Sequence, residues 1–283
     1  MFSLYFHPMS TTQRPALFDR PALESRRARA RRAPALFLQE AAADDIEDRL
    51  AEVNRSFHDP AVVTPWPELW AARMPAARIV PDTPTLDLAP GAHDLVVHAL
   101  SLHWAEDPVG QLIQCARALQ PDGLLIVTLF GGETLGELRA ALTAAETAVT
   151  GGLSPRVAPM GEIRDLGALL QRAGLALPVA DGTPYDVSYE TPFHLMRDLR
   201  AMGETNAMAG RLRRFTRRAV LAEAARLLAE SAGRPGGRIG ARFEVITLTG
   251  WAPSADQPQP LRPGSASHSL EEALRRARDE NAD

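Results

Sequence analysis

A chain of 283 residues, 45% hydrophobic and 23% charged, has the composition of a folded domain large enough to bury its own core. Its 31 basic residues are all arginine, which excludes a Schiff-base lysine, a P-loop lysine and a lysine base, and the net charge of −4 argues against binding nucleic acid through bulk positive charge. One cysteine, Cys115, cannot close an internal disulfide, which fits a reducing compartment, and no run of 18 apolar residues offers a membrane span.

Met9-Ser10-Thr11-Thr12 reads as the start, with residues 1–8 upstream of it. Residues 14–32 hold seven arginines against Asp19 and Glu24, a local charge of +5, and residues 40–52 hold six acids against Arg49, a local charge of −5. These segments predict two solvated helices with complementary faces, or else an arginine-rich arm that docks a partner or an acidic lipid surface. The apolar run 94–100 (DLVVHAL) suits a strand buried on both faces. Asp107-Pro108 caps a helix and fills its first turn, and Val109, Leu112, Ile113, Ala116 and Leu119 form its apolar stripe. Cys115, beside or opposite that stripe, reads as an inert thiol.

Pro121-Asp122-Gly123 turns into a second apolar strand, 124–130 (LLIVTLF), which Gly131-Gly132 break. Leu135, Leu138, Leu142, Ala145 and Val149 share one face of the next helix, and another helix over 162–173 stops at Gly174. Strands recur near 175–180, 185–189 and 241–249, with two helices between the last two. Pro192 opens the first of these helices, Gly203 closes it, and Thr216 caps the second. Residues 252–268 are a Pro, Ser and Gly linker, followed by a short helix over 269–279 with Ser269 and Glu272 in a capping-box pattern. The order predicts an α/β, doubly wound parallel sheet, with ligands at the carboxyl ends of its strands, on a rim formed by 64–68, 81–83, 100–105 and 129–134.

Leu100-Ser101-Leu102-His103-Trp104, Leu119-Gln120-Pro121-Asp122-Gly123, Gly131-Gly132-Glu133-Thr134-Leu135, Gly151-Gly152-Leu153-Ser154-Pro155 and Met202-Gly203-Glu204-Thr205-Asn206 carry a resemblance. Together they resemble class I S-adenosylmethionine methyltransferases, in particular the malonyl-acyl-carrier-protein methyltransferases of biotin synthesis. More fully, over about 17–267, they resemble the methyltransferase-like assembly-factor family of respiratory complex I. That resemblance implies a Rossmann-like seven-stranded sheet with the last strand antiparallel and a helical lid, at about 190–235, between the last two strands. It divides the chain into an extension at 1–16, a methyltransferase-like domain at 17–252 and a tail at 253–283. Its implied cofactor is S-adenosylmethionine. Its implied partner is a protein, a complex I subunit or assembly protein, with no nucleic acid and no transmembrane segment. The implied place is the bacterial cytoplasm, with peripheral association at the inner face of the membrane. Relatives in these families hydroxylate an arginine or methylate a carboxylate.

The sequence departs from the family pattern at the first strand, where Val63 is followed by Thr64-Pro65-Trp66-Pro67-Glu68 in place of a glycine-rich turn. The glycines normally let backbone approach the ligand, and the two prolines remove donors. Only about 30 residues separate this strand from Asp94, so the second strand and one helix are expected to be missing, together with the acid that holds the ribose. Charge-assisted bonds to ribose contribute about 1.5–3 kcal/mol each, so losing that acid and the turn costs about 3–6 kcal/mol, enough to turn a micromolar site millimolar.

What the resemblance leaves on the cofactor side is Thr64, Pro65, Asp82, Leu100, Ser101 and His103. On the substrate side it leaves Trp104, Glu204, Asn206 and Arg211. Asp82, aligned with the acid ending the third strand, either accepts from an adenine amino group or caps a turn; Ser101 to Trp104 either line the site or pack. His98 and His103, with Glu106 and Asp107 nearby, do not form a convincing iron site, and no metal is expected. The arginines at 211, 213, 214, 217 and 218 either grip a carboxylate or an acidic protein, or form a solvated face. The expected function is methyltransferase-like action on a protein partner in complex I maturation, with a degenerate cofactor site. The alternative is a non-catalytic assembly or binding factor on the same scaffold.

Overall fold

The computed structural model describes residues 15–257, which divide into a unit ending at Pro253 and a short remainder in which the Gln257 N–H donates to the Ser254 carbonyl at 3.4 Å. The start at Met9, most of the 1–16 extension and the helix expected at 269–279 lie outside the described residues.

Two helices come first, α1 (Arg20–Ala30) and α2 (Phe37–Glu52). The Asp19 carboxylate caps α1 by accepting from the Ala22 N–H at 3.0 Å. Then follow β1 (Pro60–Val63), α3 (Pro67–Arg73), β2 (Arg78–Val80) and β3 (His93–His98). The next helix, α4 (Pro108–Ala118), begins as its sequence dictates: the Asp107 carboxylate accepts from the Gly110 N–H at 2.8 Å, and Pro108 fills the first turn. The chain continues through β4 (Leu119–Phe130), α5 (Gly136–Thr150), α6 (Ile163–Arg172), β5 (Ala176–Tyr189), α7 (Pro192–Ala201), α8 (Arg218–Ser231) and β6 (Ile239–Trp251). Gly174, just past α6, takes φ +83°, a conformation that costs glycine nothing.

The strands form one six-stranded sheet in the order β2-β1-β3-β4-β6-β5. Strands β1 to β4 pair in parallel, and β6 runs antiparallel to both β4 and β5. This is the expected doubly wound sheet, with α7 and α8 inserted as a lid between its last two strands. Side chains alternate across it as strand geometry requires. Ala61, Val63, Val96, Leu125 and Val127 pack with Leu112 of α4 and Leu166 and Leu170 of α6. Their alternates Val62, Leu95, Val97, Leu124 and Ile126 pack on the other face with Ile46 of α2 and Trp70 of α3. At the carboxyl end of β4, Phe130 joins Phe243 of β6, Leu138 of α5 and Leu195 and Leu199 of α7.

Several expectations are corrected. Strand β2, aligned with a third strand, pairs directly with β1 through Ala61–Arg78, Val62–Ile79 and Val63–Val80, so it takes the place beside β1 and the sheet has six strands. The segments near 175–180 and 185–189 are one strand, β5; it pairs only with β6, and an edge tolerates Pro184. The buried face of α4 runs through Gln111, Leu112, Cys115 and Ala118, so Cys115 sits in the core, where burial pushes its thiol up to about 12. Thr216 does not cap α8; its hydroxyl accepts from Arg156 Nη1 at 3.0 Å. The acids of α2 do not face the arginines of α1: Asp45 pairs with Arg49, which also reaches Asp181, and Asp44 and Glu47 pair with Arg73. No helix among the described residues is long and apolar enough to cross a membrane.

One buried acid ties the loop after α5 to that helix. Glu146 accepts from Arg156 Nε at 2.9 Å and Nη2 at 2.7 Å, and from the Ser154 N–H at 3.1 Å and hydroxyl at 2.8 Å. The Arg156 hydrogen bonds, against burial and with help from Ser154, hold its carboxyl down to about 2. A depressed carboxylate pKa stabilises the fold above the unfolded value of about 4.3 and loses that contribution as the pH falls toward the folded value. Thermal unfolding followed from pH 5 to 2 is expected to show this loss in the wild type and to show a shallower acid slope in Glu146→Gln.

Candidate functional site

The carboxyl ends of β1 and β2 face a cavity of about 450 Å³ bounded by α1. Among its lining residues are Arg20, Arg27, Arg31, Thr64, Pro65 and Asp82. Three of the expected cofactor-side residues, Thr64, Pro65 and Asp82, therefore come together. Each is already engaged. The Thr64 hydroxyl accepts from the Trp66 N–H at 3.1 Å, and the Pro65 carbonyl accepts from Arg31 Nη2 at 2.9 Å. Asp82, 4% exposed, accepts from Arg27 Nη1 at 2.7 Å and Arg20 Nη2 at 3.0 Å. Burial raises the Asp82 pKa, but the two guanidiniums outweigh it and hold the carboxyl below its usual range.

Arg27 is the pivot of this arrangement. It lies four residues after Leu23 on the buried face of α1, and its side chain is 3% exposed. Its Nε and Nη2 have no hydrogen-bond partner among the described residues. Gly203 of the lid packs directly on it: at φ +76°, a Cβ there would stand 3.0 Å from Arg27 Cγ. The glycine of the Met-Gly-Glu-Thr-Asn segment is thus required both by its backbone and by the neighbouring arginine.

S-adenosylmethionine, the cofactor implied by the fold family, does not fit this cavity as the residues stand. It carries two positive charges against one carboxylate, whereas the lining holds Arg20, Arg27 and Arg31, and its acids are Asp82, already paired twice, and Glu24, which accepts from Arg20 at 3.0 Å. No glycine follows β1, and Pro65 and Pro67 offer no N–H.

Leu100, Ser101 and His103 are not part of that lining; all three are buried. Leu100 takes φ +39°, strained for a leucine, and its N–H donates to the Thr128 hydroxyl at 3.0 Å. Ser101 Oγ lies 3.4 Å from His98 Nδ1, and His98 Nε2 lies 2.7 Å from Gln111 Oε1. Burial lowers the His98 pKa. His98 and His103 do not share a site, and Glu106 accepts instead from the Leu17 and Phe18 N–H groups at 2.7 and 3.1 Å.

A second cavity, of about 210 Å³, opens under the lid. Leu138, Met160, Met196, Leu199 and Phe243 supply its apolar surface, and Trp104, Glu204, Asn206, Arg200 and Arg156, the last paired with Glu146 at 2.7 Å, bring polar atoms to it. The carboxylate there is fixed from below: Trp104 Nε1 donates to Glu204 Oε2 at 2.6 Å, and His103 Nε2 lies 3.1 Å from the same oxygen. Trp104 is in turn held edge-on by Phe18, ring centroids 5.1 Å apart. Glu204 Oε1 receives no donor from the described residues. Asn206 holds the lid loop together, donating to the Pro155 carbonyl at 2.7 Å and accepting from the Met208 N–H at 3.0 Å. Arg211, expected on the substrate side, lies outside this lining; it is drawn to Asp19, 2.8 Å away. Sequence reasoning missed Arg27 and Glu146. In each case the signal was a charge standing on an apolar helical stripe, with Leu23 and Ala30 in α1 and with Leu138 and Leu142 in α5.

Comparison with known proteins agrees with the fold. Residues 45–127 match a methyltransferase domain. The chain is 37% identical over 197 residues to arginine-hydroxylase NDUFAF5, mitochondrial, of Danio rerio, covering 70% of this chain and 61% of that protein. It is 35% identical over 196 residues to the malonyl-[acyl-carrier protein] O-methyltransferase of Laribacter hongkongensis, covering 68% and 62%. These matches support a class I methyltransferase. It spans about three fifths of the length of these relatives. Among solved structures it is similar to the Burkholderia thailandensis 1,6-didemethyltoxoflavin-N1-methyltransferase, with TM-score 0.45, 12% identity, and coverage of 88% of this chain and 99% of that one. The expected bacterial cytoplasmic location is corrected by these matches, because the NDUFAF5 relative is a mitochondrial protein.

Removing Asp82 leaves Arg27 buried without a counter-charge. Breaking a buried pair from one side costs about 3–5 kcal/mol, so Asp82→Asn is expected to lower chemical-denaturation stability by that order. A change within about 0.5 kcal/mol, the usual range for a surface site, would contradict the structural role.

Proposed function

We propose that this protein acts on a protein partner in the maturation of respiratory complex I, using the lid cavity as its partner-side site on a scaffold whose cofactor side is degenerate. The observation that carries the reading is Glu204: a carboxylate fixed by Trp104 and His103 at the floor of an apolar cavity, with its second oxygen free of donors from the described residues. An apolar wall ending in a carboxylate suits a long cationic side chain, whose stem packs and whose head pairs. A guanidinium fits best, because its fork of donors meets a carboxylate in two places. The relative named as an arginine-hydroxylase supports an arginine-bearing partner. The cofactor side supports the degenerate reading through the double engagement of Asp82. No reaction step is assigned to S-adenosylmethionine here.

Affinity purification of the tagged full chain from its own cells is expected to recover a complex I subunit or assembly protein. Glu204→Gln keeps an acceptor for Trp104 but removes the charge, and is expected to reduce that recovery about tenfold, the factor that corresponds to 1.4 kcal/mol, with an unchanged melting temperature. Recovery of no complex I protein, or full recovery with Glu204→Gln, would overturn the reading.

A further inference from the structure

Outside both cavities, a groove of about 450 Å³ runs between α1 and α7. Five of its lining residues are arginines: Arg26 and Arg29 on α1, Arg32 just past its end, and Arg197 and Arg200 on α7. The other lining residues are Ala30, Ala33, Ala201 and Thr205, so no acid is among them. Arg29 donates only to the Ser25 carbonyl of its own helix, at 3.3 Å. The side chains of Arg26, Arg32, Arg197 and Arg200 have no hydrogen bond or ion pair with any described residue, and Arg26 Nη1 is buried in that state. Asp19, the carboxylate that favours the Arg26 charge, already pairs with Arg211 at 2.8 Å and Arg213 at 3.2 Å.

Such a cluster costs stability through mutual repulsion, and Asp19, shared with Arg211 and Arg213, offsets it only at Arg26. Residues 1–14 contain no Asp or Glu, and residues 258–283 carry five acids against four arginines, so neither of these segments is strongly acidic.

We propose that this groove binds an acidic peptide segment of a protein partner. The layout favours a linear array of carboxylates over a single anion. Positions 26, 29 and 32 are spaced three apart, and at 1.5 Å per residue the row is about 9 Å long. Arg197 and Arg200, also three apart, form a second row on the facing helix. One phosphate cannot reach both ends of the rows, whereas successive Asp or Glu side chains can. The small floor of alanines lets a peptide backbone lie close. Arg200 and Thr205 also line the lid cavity, so a bound acidic segment lies beside whatever enters that cavity. Only this adjacency rests on the function proposed above.

The test is fluorescence anisotropy of the full chain with fluorescein-labelled octaglutamate, with octalysine as the control. The expected result is micromolar binding of octaglutamate at low salt, none of octalysine, and at least about tenfold weakening when added salt shortens the screening length. Arg29→Ala/Arg32→Ala/Arg197→Ala, all at exposed positions, is expected to melt normally and to lose about tenfold or more in affinity, that is 1.4 kcal/mol or more. Absence of octaglutamate binding, or equal binding by the triple variant, would overturn the proposal. So would displacement by millimolar inorganic phosphate, which would indicate a single-anion site, or equal affinity for an oligothymidylate of the same charge, which would indicate a nucleic-acid surface. Because the assay contains no complex I protein, its failure is separable from failure of the partner assignment.

Discussion

The buried pair between Arg27 and Asp82 is the interaction on which the rest of this site depends. A charge with 3% of its side chain exposed persists only when paired. Here the pairing joins helix α1 to the turn after β2, and the contact of Gly203 with Arg27 brings the lid against the same side chain. Once α1 is fixed by that bond, its remaining arginines have fixed directions. Arg20 and Arg31 turn toward the cavity at the strand ends, while Arg26 and Arg29 turn toward α7. One helix thereby sets the charge of two surfaces.

The short connection between β1 and β3 explains why such a pair can form. With about 30 residues between β1 and Asp94, β2 pairs beside β1 and brings Asp82 to the mouth of the site. An acid at that place attracts cations from whichever element covers it. In this chain that element is an arginine-rich helix, and the cavity that results suits a cationic ligand poorly. The lid side is built differently. Trp104 and His103 come from the turn after β3, and Glu204 comes from the loop after α7, so the partner-side carboxylate depends on the central strand and the lid together. The two sides are therefore held by different residues.

Much of the fold was legible because it follows from local rules. The runs around 94–98 and 124–130 are mainly apolar because both faces of those strands are covered, and Asp107-Pro108 and Gly174 mark helix ends by mechanisms contained in a few residues. The family motif around Glu204 also led to the lid cavity. What remained illegible is long-range pairing. The positive segment at 14–32 and the negative one at 40–52 suggested mutual attraction, yet Arg27 crosses to Asp82, 55 residues away, and Arg49 crosses to Asp181, 132 residues away. Charge counts carry no information about which carboxylate a guanidinium will meet. Arg211 shows the same limit: its motif suggested a ligand contact, and Asp19, 192 residues away in sequence, holds it instead.

The account's central claim is that Asp82 belongs to the protein's own arginines and not to a nucleoside. Isothermal titration of the full chain with S-adenosylhomocysteine, the demethylated form that lacks the sulfonium charge, tests this most directly. The account predicts no saturable heat in the micromolar range, in keeping with a site weakened by about 3–6 kcal/mol. A low-micromolar, one-to-one isotherm that disappears in a folded Asp82→Asn variant would contradict it.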